Sequence, residues 1–247
     1  MNETPSQLKV LSIDIGGSHI KATVLDSKGD LLMPYNKVET PQPANPANVV
    51  KAIKGLAKSF TDYDRISVGF PGYVRDSIVK TAPNLDNAAW ANFNLGEKLK
   101  EVLGKPARVV NDADMQGLGV VSGKGLELVL TLGTGFGTAL LLDGRLLPHL
   151  EVGQSPITRH NNYDAYIGDK AFDAEGKKKW NERMEKVLKV LKTLFNYDYL
   201  YIGGGNAREL TFKLDKNVKV VTNQDGIKGG ARLWADEQTP APSKSKK

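Results

Sequence analysis

Leu11-Ser12-Ile13-Asp14-Ile15-Gly16-Gly17-Ser18-His19-Ile20-Lys21-Ala22-Thr23-Val24-Leu25-Asp26 reads as two alternating strands joined by a glycine turn. The unit returns as Leu128-Val129-Leu130-Thr131-Leu132-Gly133-Thr134-Gly135-Phe136-Gly137-Thr138-Ala139-Leu140-Leu141-Leu142-Asp143. A constant offset of 117 residues aligns Asp14 with Thr131, Gly16 with Gly133, Ala22 with Ala139 and Asp26 with Asp143. Both stretches then pass through a glycine into Leu-Leu. A chain built from two such halves is expected to form two lobes with a cleft between them, and to bind ligands where the glycine turns face each other.

Outward from the first hairpin, strands are expected at Leu8 to Ile15, His19 to Asp26 and Leu31 to Tyr35. Glycine at Gly16-Gly17 accepts positive φ and exposes backbone N–H groups. Asn45 to Phe60 reads as an amphipathic helix, with Asn45 as cap and Pro46 in the first turn. Arg65 to Phe70 reads as a strand, Leu95 to Leu103 as a helix, Arg108 to Val110 as a buried strand and Asp112 to Ser122 as a second helix. The second hairpin fills Leu126 to Leu142. His149 to Tyr166 reads as loop, and Ala171 to Phe195 as a long helix broken near Gly176. A strand at Tyr199 to Ile202 opens on Gly203-Gly204-Gly205 and a helix; Val218 to Val221 and the helix Gly226 to Asp236 close the order. Hairpins alternating with helices predict an α/β fold. The lobes are expected at 1–112 and 113–238, with the closing helix 226–236 either in the second lobe or returning to the first, and a disordered basic tail at 239–247.

A chain of 247 residues can bury two cores of roughly 100 residues each. No apolar run approaches the roughly 18 residues of a membrane span. Met1 to Lys9 lacks the apolar core of a signal peptide, so the cytoplasm is the expected location. The chain has no cysteine, which excludes disulfides, thiolate metal sites and a cysteine nucleophile. His19, His149 and His160 are too widely spread for a metal triad, and no zinc is expected. The net charge is +6 and the pI about 9.2. Much of the excess lies in Lys170 to Lys192, including Lys177-Lys178-Lys179. That run reads first as a solvated helix face and second as a track for a polyanion. No nucleic-acid-binding motif accompanies it.

Four stretches carry candidate chemistry. Asp14, at a strand end beside the Gly16-Gly17-Ser18 turn, can hold hydrated Mg²⁺, while the turn's N–H groups meet phosphate oxygens and Lys21 adds a phosphate contact. The alternative is a tight hairpin with a surface aspartate, which a second turn in register at Gly133, Thr134 and Gly135 disfavours. Asp112 is either the N-cap of its helix or a general base at the cleft, with Asn111 bonding a neighbouring hydroxyl. Glu151, in Glu151-Val152-Gly153-Gln154, is either a solvated loop residue or an acceptor for sugar hydroxyls. Gly203, Gly204 and Gly205 form a phosphate-type turn after a strand.

In this order, Asp14-Ile-Gly-Gly-Ser-His-Ile-Lys21, Gly69-Phe-Pro-Gly72, Asn111-Asp112-Ala-Asp114, Leu132-Gly-Thr-Gly-Phe-Gly137 and Gly203-Gly-Gly205 resemble the ROK family of sugar kinases, and within it the polyphosphate glucokinases. The resemblance spans about Leu8 to Trp234. It implies the actin-like ATPase fold, with two ribonuclease-H-like lobes. It implies phosphoryl transfer from ATP or polyphosphate to the 6-hydroxyl of glucose with Mg²⁺, in a homodimer with no nucleic-acid or membrane partner. It makes Asp112 the base, Asn111, Glu151 and Gln154 the sugar ligands, and Asp14, Gly16 and Gly17 the metal and phosphate elements. Gly133, Thr134 and Gly135 would face the donor. Two departures stand out. Gln154 occupies the place of a family histidine, and Tyr163-Asp164-Ala165-Tyr166 stands where a further sugar-binding glutamate is expected. They motivate the alternative of a sugar- or phosphate-binding protein without kinase activity. The helix-turn-helix extension of ROK repressors is not expected, because the first strand begins near Leu8.

Overall fold

The computed structural model describes residues 8–222, 226 and 228–235. The polar start at 1–7, the basic tail 239–247 and parts of the closing segment lie outside the described residues. β1 (Val10–Ile15) and β2 (His19–Leu25) form the first hairpin, with Asp14 opposite Lys21. Alternation sends Leu11, Ile13 and Ile15 into the core and leaves Ser12 and Asp14 on the opposite face. β3 (Asn36–Glu39) pairs with β2. α1 (Pro46–Ala57) starts at Asn45, whose side chain accepts the Asn48 N–H at 3.0 Å. Val49, Ile53 and Leu56 bury its apolar face.

β4 (Arg65–Phe70) runs parallel to β1. A small antiparallel sheet follows, made of β5 (Val74–Arg75), β6 (Ile78–Val79) and β7 (Phe93–Asn94), with α2 (Asn87–Trp90) inserted before β7. After α3 (Leu95–Leu103), β8 (Ala107–Asn111) pairs parallel to β4 and leads into α4 (Asp112–Val120).

The second half repeats the plan. β9 (Leu126–Leu132), β10 (Phe136–Leu142) and β11 (Arg145–Leu146) run antiparallel. α5 (Tyr163–Ile167) and α6 (Asp169–Phe195) precede β12 (Tyr199–Gly203) and β13 (Val218–Val220), both parallel additions. α7 (Gly229–Arg232) closes the order. The first sheet reads β3-β2-β1-β4-β8 and the second β11-β10-β9-β12-β13, so every strand of one has a counterpart in the other. The duplicated hairpin was the visible part of a duplicated sheet. Each half also buries one tryptophan whose indole N–H reaches a carbonyl: Trp90 to Ala44 and Trp180 to Ile167, both at 2.7 Å. No described helix is long and apolar enough to cross a membrane.

The structure corrects two expectations, adds a small sheet for which none was made, and seats the closing helix that was left open. The third strand lies at Asn36–Glu39, not at Leu31 to Tyr35, where only Leu31 bridges to Leu25. β3 is an exposed edge strand without apolar alternation, whereas Leu31 and Leu32 are exposed loop residues. The small sheet has strands of two residues, too short to leave a pattern. Gly205–Glu209 is a 3-10 helix rather than an α-helix. The closing helix packs on α4, β1 and β4. The Gly230 carbonyl accepts from Ser67 Oγ at 2.6 Å, and Trp234 Nε1 donates to the same hydroxyl at 2.9 Å. A Cβ on Gly229 would lie 1.6 Å from the Met115 carbonyl oxygen, so only glycine allows α7 this close to α4. The break in α6 falls at Gly176, with φ +76°.

Candidate active site

A cleft of about 530 Å³ is lined by both glycine turns, Gly16 to Ser18 and Gly133 to Gly135. Thr40 holds the first turn, its Oγ1 bonding the Gly16 carbonyl at 2.6 Å. The N–H of Asp169, opening α6, holds the Gly133 carbonyl at 2.9 Å. Gly16, Gly17, Gly133 and Gly135 do not have positive φ, and a Cβ on Gly17 or Gly133 would meet nothing within 4 Å. The expected conformational reason for glycine therefore does not hold at these turns; Gly17 and Gly133 face open space, whereas a Cβ on Gly16 would lie 3.0 Å from the His19 carbonyl oxygen and one on Gly135 3.1 Å from Asp164 Oδ1. Gly204 does need glycine. Its φ is +88°, and a Cβ there would lie 2.2 Å from the Leu132 carbonyl oxygen. Gly204 and Gly205 line the cleft, whereas Gly203 ends β12 and is not among the lining residues.

α4 starts at the floor of the cleft. Its N-cap is Asn111, whose Oδ1 accepts the N–H groups of Ala113 at 2.8 Å and Asp114 at 3.4 Å. Asn111 Nδ2 donates to the Gly72 carbonyl at 3.1 Å, leaving one amide proton for a ligand. The capping reading of Asp112 is thus overturned. Asp112 is the first helical residue, and its carboxylate faces both the cleft and an adjoining pocket of about 250 Å³. Burial, then the charges of Asp14, Glu151 and Asp114, push its pKa from 3.8 up to about 7, against a bond from the Ala113 N–H. A carboxylate so placed takes up a proton readily near neutral pH.

Asp14 and Lys21 line the smaller pocket with Tyr35 and Gln116 rather than the main cleft. Burial raises the Asp14 pKa, with Lys21 opposing. No group of three or more metal-ligating side chains occurs among the described residues.

At the far side of the cleft, Glu151 precedes a single 3-10 turn, Val152–Gln154. Gln154 is fixed at both ends of its amide. Nε2 donates to Asp164 Oδ2 at 2.5 Å, and Oε1 accepts from Asn162 Nδ2 at 3.2 Å. Asp164 Oδ1 also accepts the Phe136 N–H at 2.6 Å. The departing stretch Tyr163 to Tyr166 thus brings a carboxylate, Asp164, to the cleft. Tyr166 packs against the second core, with the Arg183 guanidinium 4.6 Å over its ring. Two further residues went unrecognised, His149 and Asp114. The signal for Asp114 was present in Asn111-Asp112-Ala113-Asp114; His149 had been weighed only as a metal ligand.

The lysine run lies on α6 and is partly paired. Lys177 bonds Glu209 at 2.9 Å, Lys179 pairs with Glu175, and Lys192 bonds Asp215 at 2.6 Å.

The ROK family model matches residues 10–155. The polyphosphate glucokinase of Mycobacterium tuberculosis is 32% identical over 238 residues, which are 92% of this chain and 88% of that protein. The inorganic polyphosphate/ATP-glucomannokinase of Arthrobacter sp. strain KM superposes with a TM-score of 0.81 at 30% identity, over 93% of this chain and 99% of that one. A ROK family glucokinase from Streptomyces griseus, in complex with glucose and AMPPNP, has a TM-score of 0.72 at 20% identity, over 91% and 98% of the two chains, a likeness of fold.

Proposed function

The chain belongs to the ROK family and is a sugar kinase of the actin-like ATPase fold, and we propose that Asp112 is the base with which it moves a phosphoryl group onto a hexose hydroxyl. One observation carries this reading. Asp112 stands where the two cavities meet, at the start of α4 between the duplicated turns, with its pKa raised to about 7. A base is most effective when its pKa is near the working pH. Glu151, Asp164, Gln154 and the remaining amide proton of Asn111 offer acceptors and donors around the cleft, the set that a polyhydroxylated ring requires. Phosphoryl transfer asks little covalent chemistry of the protein, and positioning with charge neutralisation supplies most of the acceleration.

In this reading the donor is polyphosphate or ATP. Its phosphates lie against the backbone of Gly16, Gly17, Ser18 and Gly133 to Gly135, with Gly204 and Gly205 behind. Asp14 fits a hydrated Mg²⁺, because it is a buried carboxylate beside the base whose charge a cation would stabilise. When bound, Mg²⁺ neutralises charge on the transferring phosphate. Lys21, opposite Asp14, reaches the same pocket. Among the described residues the lobes divide at 112/113, with α7 returning to the first. Closing them over both substrates would keep water from the donor. The working assembly is a cytoplasmic homodimer.

The test is a coupled assay on purified protein over a panel of hexoses including glucose and mannose, with ATP and with long-chain polyphosphate. Glucose phosphorylation with both donors is expected. Hexose binding by calorimetry without turnover from either donor would favour the non-catalytic alternative.

A further inference from the structure

Behind Glu151 lies a buried pair that the catalytic reading does not use. His149 and Asp114 side chains are only 4% and 7% exposed, and Glu151 is 37% exposed toward the cleft. His149 Nε2 is 3.3 Å from Glu151 Oε1. His149 Nδ1 is 3.0 Å from Asp114 Oδ2, close enough for an ion pair but out of line for a hydrogen bond. Tyr73 stacks on the imidazole with centroids 5.9 Å apart and planes at 23°. The loop is tied down next to it, because Thr138 Oγ1 on β10 bonds the Leu150 carbonyl at 2.9 Å.

We propose that His149, clamped by Asp114 and Tyr73, is the positioning residue that holds Glu151 for the hexose. The proposal rests on Glu151 being a hexose ligand. The Glu151 carboxylate needs such a support because the Gln154 side chain, three residues on, is committed to Asp164 and Asn162, and Gln154 bonds only the Glu151 backbone carbonyl. Cationic imidazole answers two needs at once. It compensates the buried Asp114 carboxylate, which would otherwise be an unpaired charge. It also donates from Nε2 to a carboxylate that must stay ionised and fixed to accept from sugar hydroxyls. The groups facing His149 are Asp114 from α4, Glu151 from its own loop and Tyr73 from the segment before β5. Glu151 in turn feels Asp112 and Asp164. Burial lowers the His149 pKa, but the Asp114 carboxylate 3.0 Å away and the Glu151 carboxylate at Nε2 outweigh it and raise the value to about 9.

The test combines kinetics with a titration that needs no turnover. His149→Phe keeps the ring stack and the volume but loses the donor; His149→Gln restores a donor. For His149→Phe, hexose KM is expected to rise about tenfold or more, with kcat and donor KM changed by less than about threefold, the signature of lost ground-state positioning. His149→Gln should recover part of the loss. The chain has three histidines, so nitrogen-15 imidazole signals can be assigned by the same variants. His149 should remain cationic to about pH 9 and titrate lower in Asp114→Asn. A folded His149→Phe with the wild-type hexose KM, where Glu151→Gln does raise it, overturns the positioning role alone. His149 titrating near 6.5 overturns the pair, whether or not the protein turns over a hexose.

Discussion

Asp112 shows how one side chain couples function to stability. Its pKa in the fold, about 7, is above the 3.8 of an ordinary aspartate. A raised carboxylate pKa means that the folded state holds a proton more tightly than the unfolded chain. No cost arises below pH 3.8, where both states are neutral; the cost grows as pH rises and is complete above about 7. As the proposed base, the carboxylate must nevertheless be ionised to take a hydroxyl proton, so activity should climb with pH through about 7. Asp112→Asn is expected to lower kcat by about 10² to 10⁴, with hexose affinity largely kept. The same variant should melt higher than wild type at pH 8, by about 2–4 °C for each kcal/mol relieved, and the gain should shrink as pH drops toward 4. Melting curves across pH check the second half, and a variant that is both fully active and no more stable would return Asp112 to an ordinary surface role. Asn111-Asp112 was legible as a pair, but not which member caps the helix. That depends on Asn111 lying in the extended conformation at the end of β8, with Gly72 waiting for its amide.

At the scale of elements, the joint between α4 and β9 depends on Glu127. This residue is fully buried and accepts from Ser122 N–H at 2.7 Å, Ser122 Oγ at 2.8 Å, Gly123 N–H at 2.9 Å, Lys124 N–H at 3.2 Å and Tyr201 Oη at 2.9 Å. The turn after α4 is thereby wrapped around a carboxylate that belongs to β9. Burial raises its pKa, but the bonds from Ser122, Tyr201 and Gly123 outweigh that and leave it below 4.5. A depressed carboxylate contributes stability that is present above the unfolded pKa and lost as pH falls through the folded one. Glu127→Gln should therefore destabilise the protein at pH 7, by about 1–3 kcal/mol for the disrupted charged bonds, and the gap to wild type should close as pH falls below 4.5. Denaturant titrations at pH 7 and pH 4 measure it, and equal gaps at both would refute the charge argument. Elements with clear alternation or caps were readable from sequence: the two hairpins, α1 with its Asn45 cap and α6 with its break at Gly176. β3, the two-residue strands and the 3-10 turn at Gly205 were not. Tertiary pairing forms them, and their own side chains carry no period.

For the whole molecule, the duplicated sheet was the part most fully written in the sequence, because an offset of 117 residues preserves both glycine turns. Where the closing helix returns was not written, since its seat is made by atoms distant in sequence, Met115, Ser12 and Ser67. Nor was the fate of the lysine run. A row of cations on one helix looks like a polyanion track until its partners are placed, and here Glu209, Glu175 and Asp215 take Lys177, Lys179 and Lys192. To bind polyphosphate on that face, these exposed pairs would have to open and hand their cations to the ligand. Each pair is worth only about 0–1 kcal/mol, so opening is feasible, but the net positive field is much reduced. The duplicated turns offer a more direct seat, because no ion pair has to open there, even though the Gly16 and Gly133 N–H groups are already given to the His19 and Gly135 carbonyls. A Lys177, Lys178 and Lys179 triple alanine variant should therefore keep its polyphosphate KM within about twofold of wild type, at low and at high salt, the range expected when only exposed pairs are removed. Donor binding along many lysines would behave differently, because releasing several counterions makes affinity fall steeply with salt. A severalfold rise in polyphosphate KM for the triple variant at low salt, vanishing at high salt and absent with ATP, would move the donor track onto α6.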